Sequence, residues 1–527
     1  MATTTAITHD DLLSLAARHD VQPDYPPSVL SAATAWNDDP GINDPTLVDL
    51  TNLPFVTIDN EDSRDLDQAV WVGDGRQAKA PDAQFCVFYA LADASHYVRP
   101  GEPLFDEALR RGASFYLPGL AIPMLPRSLS EGLISLNPNV DRRSMVMCIG
   151  IDASGEVTDS RIERARIRSR AKLSYVGVQA VLDGDQAPAL PEGVASSLRN
   201  LVAVGERRLA RAEERDIVRY RRTEVMVKAS DGNDRFVVLN RPRLAIEKYN
   251  EQISLLANIE GARFLAEAAA HNAIAQPIFR VHPDPGRDRL RGFASLLKTL
   301  TEAHRLPEDP WRWRPGGPSS LADYLDALPS GGPAGAIAKA IHRQALLLNY
   351  RSEFTPTPGP HYGVGAAVYG RFSAPMREVV GIFTHKETWE ALRSTATHRP
   401  ADLALRDNIV DRANEAKRVQ SQLTREANKL ILDQLLAVDR QNGTLRTGTV
   451  VGISRKKVHV SLDDPPIDVK VYFAHLGEGV RMRDDVTAGD ETTTVCALGD
   501  RVSLEVVGLE REHGRERWRF GLRLTNP

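Results

Sequence analysis

The sequence is poor in cysteine and has no long apolar run, and both shortages exclude whole classes of protein. Its 527 residues include three cysteines, Cys86, Cys148 and Cys496, which lie far apart and form no CxxC pair. They provide neither a disulfide framework nor a zinc site, so we expect buried thiols in a reducing compartment. No window approaches about 18 uncharged apolar residues, and the N-terminus lacks a basic flank followed by an apolar segment. We therefore expect a cytoplasmic protein that does not enter a membrane.

Motifs for several common enzyme chemistries are also missing. The sequence contains no Walker-type phosphate loop, no GxSxG elbow and no HExxH pair, so it gives those chemistries no support. A formal net charge of −4 argues against a protein that coats nucleic acid along its whole surface. Basic residues nevertheless cluster at 161–170, 207–222 and 511–524. Net charge alone therefore excludes no local contact with nucleic acid.

The composition and length indicate a folded protein of several domains, since 42% of the residues are hydrophobic and 527 residues exceed one ordinary core. HDDLLSLAARHD behind the capping candidate Thr8, and YPPSVLSAATAW, have helical spacing of leucine and alanine. They predict a small helical N-terminal domain at 1–50, which could be of the helix-turn-helix type. A polar, proline-rich connection then leads into the strand-like run FVTID.

The rest of the chain divides at one clear break. From 51 to 440 the composition is continuous and predicts one large α+β domain, with surface loops at 316–335 and a long helix at 403–438 that ends at QNG. Five strand-like segments follow within about 85 residues, separated by turn signals. They predict an all-β barrel of the OB type at 441–527.

The stretch TIDNEDSRDLDQAV, 57–70, crowds five carboxylates between two apolar runs. Like charges a few Å apart repel each other, so a cluster held at strand ends needs a counter-charge. Hard oxygen ligands at this density suit Mg²⁺ or Mn²⁺. An EF-hand does not fit, because Arg64 stands where the turn glycine belongs and Val70 where the bidentate glutamate belongs. A solvated acidic turn is the remaining alternative.

Several ordered blocks resemble the ribonuclease II family. They are LPFVTIDNEDSRDLDQAV, the long block from ADASHYVRPGE to SLNPNVDR, and the shorter AKLSYVGVQAVLDG, RLAIEKYNEQISLLAN, QPIFRVHPDP and FSAPMREVVGIFTHKE. The resemblance covers about residues 52 to 440. It implies an RNB-type catalytic domain, a C-terminal RNA-binding OB domain, and a processive, Mg²⁺-dependent 3′-to-5′ exoribonuclease that degrades single-stranded RNA to nucleoside 5′-monophosphates.

The resemblance also assigns the metal site. Asp59, Asp65 and Asp67 match the first three aspartates of the family motif, where Asp59 is expected to bind the metal and the other two to hold metal and water. Gln68 stands where the family has a fourth aspartate. Its amide carbonyl can bind Mg²⁺ but brings no charge, so the metal affinity or the geometry of the site could differ from the family's.

Four further residues match substrate-binding positions of the family. Arg377 matches the arginine that holds the scissile phosphate, a task suited to its planar fork of donors. Tyr116 matches an aromatic residue that stacks on a terminal base, and Tyr175 matches a tyrosine linked to the preference for ribose, with Glu251 as its partner. His385 falls on a family histidine that could equally be structural.

Some family features are altered or displaced. Val379 and Gly381 replace the tyrosine and aspartate that normally follow the arginine, and Glu426 is only a guess for the family's C-terminal glutamate. The segment before residue 54 has no room for the family's two cold-shock barrels. In the C-terminal segment, aromatic residues alternate with basic ones, as in single-strand binders, although about half of the aromatics could be core. They are Tyr472, Phe473, Trp518 and Phe520, beside Lys456, Lys457, Lys470, Arg517 and Arg519.

We expect a monomer that binds single-stranded RNA. Two other functions stay open at this point: a catalytically weak RNA-binding relative of the family, which Gln68 and the altered arginine block allow, and a metal-dependent phosphoesterase that acts on small molecules, which the C-terminal barrel disfavours.

Overall fold

The computed structural model describes residues 7–185, 190–214, 224–229, 236–241, 243–272, 275–393, 400–512 and 515–525. Its helices are α1 His9–Arg18, α2 Pro27–Ala35, α3 Ala94–Tyr97, α4 Pro103–Arg111, α5 Tyr175–Asp183, α6 Val194–Glu214, α7 Ala245–Asn272, α8 Gly286–Ala303, α9 Leu321–Ala327, α10 Gly332–Leu346, α11 Val379–Leu392 and α12 Pro400–Asn442. Among these described helices, none is long and apolar enough to cross a membrane.

The strands fall into one large sheet, a C-terminal sheet and several small ones. They are β1 Val48–Asp49, β2 Phe55–Asp59, β3 Gln68–Asp74, β4 Phe85–Ala92, β5 Phe115–Leu117, β6 Leu120–Ile122, β7 Asp141–Ile151, β8 Val157–Ser174, β9 Glu224–Ala229, β10 Phe236–Arg241, β11 Phe279–Val281, β12 Glu353–Thr355, β13 Leu445–Ser454, β14 Lys457–Leu462, β15 Asp468–Tyr472, β16 Arg481–Met482, β17 Thr487–Gly489, β18 Thr494–Ala497, β19 Arg501–Glu512 and β20 Arg515–Leu524. Short 3₁₀ turns lie at Gly75–Gln77, Tyr362–Val364 and Phe473–His475, and a π-helical turn at Ser128–Leu133.

The large sheet has the order β1-β8-β2-β3-β4-β7, and the long strand β8 also pairs with β7. The first part of β8 lies antiparallel to β7, and its last part lies parallel to β2. The sheet thus closes on itself into a ring. Both of its faces are buried, which explains why every residue of β4, FCVFYALA, is buried instead of every second one. One face packs on α2, α4 and α11, and the other on α5, α6 and α7.

The C-terminal sheet is antiparallel with the order β15-β14-β13-β19-β20, and its two edge strands contact each other. All five strands predicted from the sequence are present. Their buried side chains, among them Val458 and Phe520, belong to the same hydrophobic cluster as Leu297 on α8, Ile341 on α10 and Leu436 on α12. The core therefore runs across the domain boundary expected at 440, and the division into three domains stays a prediction.

The N-terminal helices and the long helix agree closely with the sequence patterns. Thr8 caps α1 in a capping box with Asp11, as the predicted cap required. Helix α12 ends at Asn442, directly before Gly443, whose φ of +62° suits the break. The prediction of a surface loop through 335 is wrong at its end, because α10 already begins at Gly332. The three cysteines are free and buried, as expected.

Candidate active site

The acidic stretch forms a loop that links two neighbouring strands of the ring. It leaves β2 at Asp59, which lies opposite Ser174 of β8, and it enters β3 at Gln68. Leu66 anchors the loop, since its side chain is 1% exposed and its N–H donates to Ser135 Oγ at 3.0 Å. Asp65 and Asp67 flank this anchor. Burial of one apolar side chain therefore holds two carboxylates in place.

Asp67 binds directly to a loop that lies about 310 residues further along the chain. Its Oδ1 accepts a hydrogen bond from the Met376 N–H at 2.9 Å, and its Oδ2 accepts one from Arg377 Nε at 2.5 Å. Burial raises the pKa of Asp67 to about 6, although Arg377 opposes the shift. Burial works against the Arg377 guanidinium, but Asp67 more than offsets it and raises the pKa of Arg377. Above about pH 6 the two residues form a buried ion pair.

Arg377 keeps donors for a ligand. Its side chain is 34% exposed, against 1% for Asp67. Only Nε takes part in the bond to Asp67, and its two terminal nitrogens make no hydrogen bond to the described part of the chain. A guanidinium held by one edge in this way presents its free edge to a phosphate.

Asp59 and Asp65 lie close enough to act on the same guanidinium. Burial raises the pKa of Asp65, Arg377 opposes this, and the charges of Asp59 and Glu131 raise it further. The carboxylates of the loop therefore carry more negative charge than Arg377 balances. A divalent cation would balance this excess on hard oxygen ligands, and its binding by Asp59, Asp65 and Asp67 stays a prediction. Within the described part of the chain, these three aspartates are not a group whose carboxylate oxygens all lie within 4.8 Å of one another.

The tightest carboxylate cluster lies elsewhere. Among the described residues, Glu387, Glu390 and Asp402 bring carboxylate oxygens within 4.8 Å of one another. Lys386 Nζ lies 2.8 Å, 3.1 Å and 3.3 Å from these three residues. The ammonium of Lys386 therefore supplies the positive charge of this cluster, and nothing there calls for a metal.

The side chain of Gln68 makes two hydrogen bonds to other residues of the protein. Its Oε1 accepts a hydrogen bond from the Tyr89 hydroxyl, and its Nε2 donates to the Ser373 carbonyl. Tyr89 lies on β4, two residues from the position opposite Gln68, so both side chains leave the same face of the sheet. These bonds tie β3 and β4 to the segment that carries Arg377, residues 369–377, which we call the arginine loop. Metal binding by Gln68 stays a prediction, and this arrangement does not favour it.

Tyr116 lies in a cavity of about 330 Å³ that Arg377 also lines. The tyrosine is 46% exposed and sits on the short hairpin of β5 and β6. Gln420 of α12 holds its backbone, because Gln420 Oε1 accepts from the Tyr116 N–H at 2.9 Å and Gln420 Nε2 donates to the Tyr116 carbonyl at 2.8 Å. The ring is thus free for a ligand while its backbone is fixed.

Tyr175 begins α5 directly after Ser174, the residue opposite Asp59, so it stands beside the acidic loop. Its hydroxyl accepts a hydrogen bond from Asn250 Nδ2 at 3.2 Å. Within the protein, the hydrogen-bond partner of the Tyr175 hydroxyl is therefore Asn250, the residue before Glu251. Successive residues on a helix point about 100° apart, and the Glu251 carboxylate instead accepts from Arg243 at 3.0 Å. A contact of Glu251 with substrate stays a prediction.

The structure also gives contacts for His385 and Glu426, the two residues with uncertain assignments in the sequence. His385 is fully buried and bonds to the Phe372 carbonyl at 3.0 Å, and burial lowers its pKa to about 4, so it is a core residue. Glu426 is paired with His19 at 2.9 Å and with Arg18 at 3.5 Å, both at the end of α1. Glu426 thus has partners within the protein, and its assignment as the family's C-terminal glutamate stays a prediction.

The sequence analysis missed the residue that shapes the arginine loop. Asn258 on α7 accepts hydrogen bonds from the N–H groups of Phe372 and Ser373 and donates to the hydroxyls of Ser373 and Tyr369, at 2.7 to 3.2 Å. An asparagine inside a helical pattern gives no signal in sequence of such a role. All of its bonds lie in one short segment that ends at Arg377.

As predicted, some of the aromatic residues in the C-terminal segment belong to the core and others do not. Phe473 and Phe520 are buried in the core. Tyr472 is half-buried, with the Arg517 guanidinium 4.7 Å and the Lys457 ammonium 5.9 Å from its ring centre. Trp518 donates to Asp433 of α12 at 2.9 Å. Of the three basic clusters, part of 207–222 and residues 513–514 lie outside the described residues.

Comparison with known proteins identifies the family of this chain. A model of the RNB domain matches residues 47–394, more than half of the chain, and this segment holds the acidic loop, both tyrosines and Arg377. The chain belongs to the RNB, or ribonuclease II, family. The resemblance stated from the sequence is confirmed.

Individual RNB relatives cover most of this chain. Ribonuclease R of Escherichia coli K12 is 30% identical over 480 residues, which make up 87% of this chain and 55% of that protein. Exoribonuclease 2 of Shigella flexneri is 28% identical over 493 residues, 92% of this chain and 70% of that one. The chain thus spans about half the length of ribonuclease R.

A solved RNB structure has the same fold. RNase R of Mycoplasma genitalium, in complex with ribose methylated single-stranded RNA, superposes with a TM-score of 0.84 at 22% identity. The match covers 96% of this chain and 77% of that one. The likeness confirms a mixed α+β fold.

Proposed function

We propose that this RNB-family chain is a processive 3′-to-5′ exoribonuclease that hydrolyses single-stranded RNA to nucleoside 5′-monophosphates with Mg²⁺, or Mn²⁺ in its place. The ion pair between Asp67 and Arg377 carries the proposal. It joins the carboxylate loop to a guanidinium with free donors. Tyr116 in the shared cavity and Tyr175 beside Asp59 add contacts for one nucleotide. The names of the relatives, ribonuclease R and exoribonuclease 2, support the same activity.

Each residue has a defined part in this proposal. Asp59, Asp65 and Asp67 would hold the divalent cation, which would supply a means to activate water and to stabilise the leaving 3′ oxygen. Arg377 holds the scissile phosphate with its free edge, and Asp67 fixes the orientation of that edge. Tyr116 stacks on the base at the 3′ end, which tolerates any base. The Tyr175 hydroxyl contacts the 2′-OH that distinguishes RNA from DNA, and Glu251 is the second residue assigned to this contact.

The remaining parts of the chain complete the proposed enzyme. The helical piece at 1–50 supports the catalytic domain at 51–440, and the sheet at 441–527 is an OB-type barrel that guides the strand through Tyr472 and its cationic neighbours. We place the enzyme in the cytoplasm as a monomer.

The test is a time course on one single-stranded RNA labelled at its 3′ end or at its 5′ end, with Mg²⁺, with EDTA, and beside a DNA of the same sequence. The proposal predicts immediate release of labelled mononucleotide from the 3′ label, a late short product from the 5′ label, and no reaction with EDTA or DNA. An RNA that stays intact with both Mg²⁺ and Mn²⁺ would contradict it.

One observation favours a second candidate, an RNA-binding relative with weak catalysis. Gln68 brings no charge and bonds to Tyr89 and Ser373, and Arg377 already neutralises Asp67. Fewer free carboxylates would lower the affinity for the cation. RNA bound tightly but cleaved only at high Mn²⁺ concentration would favour this candidate.

A further inference from the structure

One wall of the cavity that holds Tyr116 is formed by α12 and the segments packed against it. This wall carries several positively charged side chains. Lys417 of α12 and Arg371 line the cavity, and Arg280 of β11 stands behind them. Lys417 Nζ donates to the Ser352 carbonyl at 2.6 Å and lies 3.3 Å from Ser352 Oγ, which also accepts from Arg280 Nε at 3.2 Å. Both cations lie near the Phe354 ring, at 5.3 Å and 5.7 Å from its centre.

The positive charge on this wall is not balanced. Glu378 lies 3.1 Å from Arg371 and is the carboxylate of the cavity lining. In the described part of the chain, neither Lys417 nor Arg280 has a carboxylate within 4 Å, and Glu353 acts on Lys417 only from farther away. One nearby carboxylate, which already pairs with Arg371, therefore faces three positive charges.

The pKa directions of Lys417 and Arg280 agree with this imbalance, whereas the paired Glu378 raises the pKa of Arg371. Burial lowers the pKa of Lys417 to about 8, and the charges of Arg280 and Arg371 lower it further than Glu378 and Glu353 raise it. Burial and Arg371 also lower the pKa of Arg280. Groups that lose their protons more readily in the fold would gain most from a bound anion.

We propose that Lys417 and Arg371, backed by Arg280, form a subsite for a phosphate group of the RNA strand, on the α12 wall of the cavity that Tyr116 and Arg377 also line. The inference rests on the proposed function, which supplies RNA as the anionic ligand. The phosphate is either an internal phosphodiester of the strand or a terminal 3′-phosphate.

Lys417 and the next residue on α12 provide a matched pair of variants. Lys417→Gln removes a charge inside the cavity. Arg418→Gln removes the same charge one residue later, from a side chain that is 63% exposed and pairs with Glu415 on the surface. Lys417→Arg keeps the charge and controls for loss of packing around Phe354.

The measurement is fluorescence anisotropy of a labelled single-stranded RNA in EDTA, where no cleavage is expected, with either a 3′-hydroxyl or a 3′-phosphate, across a salt series. Lys417→Gln should weaken binding and reduce the slope of log affinity against log salt by about 0.7, the value for one phosphate contact on a single strand. Lys417→Arg and Arg418→Gln should keep the wild-type slope. Equal losses for both RNAs indicate an internal phosphate, and a loss confined to the 3′-phosphate RNA indicates the terminal one.

Failure of the subsite and failure of the proposed function give different results. If the wild type binds RNA and Lys417→Gln binds both RNAs with the wild-type slope, the subsite is overturned while the nuclease proposal stands. If the wild type binds neither RNA, the proposed function is contradicted and the subsite falls with it.

Discussion

At the scale of single residues, the site depends on polar groups that are buried together and satisfy one another. Asp67 and Arg377 neutralise each other, and Gln68 satisfies both Tyr89 and Ser373. Removing one partner leaves the other unpaired, which costs about 3–5 kcal/mol for a fully buried ion pair and about 1–3 kcal/mol for a neutral hydrogen bond. Because Arg377 is 34% exposed, the cost for its pair with Asp67 lies below the first range. Substitutions here therefore need a stability measurement beside any activity measurement.

Gln68→Glu tests how the protein uses the position where the family has an aspartate. The glutamate has the same shape, but it cannot donate to the Ser373 carbonyl and adds a charge beside Asp67. We expect the free energy of unfolding, measured by urea denaturation in EDTA, to fall by about 1–3 kcal/mol.

The control for this variant is the same titration with Mg²⁺ added. If Gln68 faces only the protein interior, Mg²⁺ should stabilise Gln68→Glu and the wild type equally. A larger gain for the variant would show that this side chain reaches the cation, as the family alignment implies, and would contradict a purely structural role.

The limit of sequence reasoning is clearest among these residues. The family motif indicates Asp59, Asp65, Asp67 and Arg377, because their order along the chain suffices for that. It does not indicate Asn258 or Gln420, whose roles depend on backbone groups more than 100 residues away. It does not indicate Asn250 either, because packing sets the rotation of helix α7 that brings Asn250 to the Tyr175 hydroxyl.

At the scale of secondary structure elements, close backbone packing places the site residues. Helix α11 carries Gly381 in its first turn, and a Cβ at this position would lie 2.8 Å from Pro375 Cα and 3.2 Å from the Ala374 carbonyl oxygen. Glycine therefore lets the arginine loop pack on the helix, where the family has an aspartate. The departure from the family pattern has a local physical reason.

Gly381→Ala should displace the arginine loop. We expect a fall of about 10–100-fold in the single-turnover rate, because small misplacements of a catalytic group have effects of this size. Gly292→Ala in α8 is the control, since no atom lies within 4 Å of its added Cβ and the change should stabilise the helix by up to about 1 kcal/mol. A variant Gly381→Ala as active as Gly292→Ala would show that the loop does not depend on this contact.

Helix α1 supports the hairpin that carries Tyr116. Leu15 of α1 is fully buried in one cluster with Phe115 and Leu117 of the hairpin and Leu423 of α12. Arg111 adds a polar clamp, because it donates to the carbonyls of Gln22, Asp24 and Pro123. The N-terminal piece is thus part of the wall behind Tyr116.

Leu15→Ala should loosen this wall. We expect a loss of about 2–5 kcal/mol in unfolding free energy, together with a longer and more heterogeneous final RNA product as the position of Tyr116 becomes less fixed. Gel analysis of the limit products of a 5′-labelled RNA, at a temperature where both proteins are folded, measures this effect. Leu30→Ala, on the exposed face of α2, should leave the products unchanged. Identical products from both variants would contradict the supporting role of α1.

The helices and strands with strong sequence patterns were predicted correctly. The capping box of α1, strand β2, helix α12 and the five C-terminal strands all have strong local signals, and all are present. What the sequence could not indicate is how the elements share cores. The C-terminal sheet shares a cluster with the end of α12, which directly precedes it in the chain, and also with α8 and α10, which lie far earlier in the sequence.

At the scale of the whole molecule, the account requires RNA to contact both the ring that holds the carboxylates and the C-terminal sheet. Tyr472 is half-buried, with Arg517 beside its ring, and it is the aromatic residue of that sheet best suited to stack on a base.

Tyr472→Ser should weaken the binding of single-stranded RNA by about 1–3 kcal/mol, measured by anisotropy in EDTA, and leave the single-turnover rate at saturating enzyme unchanged. Tyr350→Ser is the matched control, because this tyrosine also has an arginine, Arg289, beside its ring, at 3.8 Å, but lies outside the C-terminal sheet. Equal affinities for the two variants would exclude Tyr472 from the RNA path.

The central claim is that the acidic loop and Arg377 act together to cleave the bond at the 3′ end of a bound RNA. The most direct measurement is single-turnover cleavage of a 3′-labelled RNA with Mg²⁺ by the wild type and by Asp67→Asn, with RNA affinity and thermal stability recorded for both. We predict release of labelled nucleoside 5′-monophosphate by the wild type, and a rate at least about 10²–10³-fold lower in a folded variant that still binds RNA. Equal rates in the two proteins, or internal cleavage by the wild type, would contradict the account.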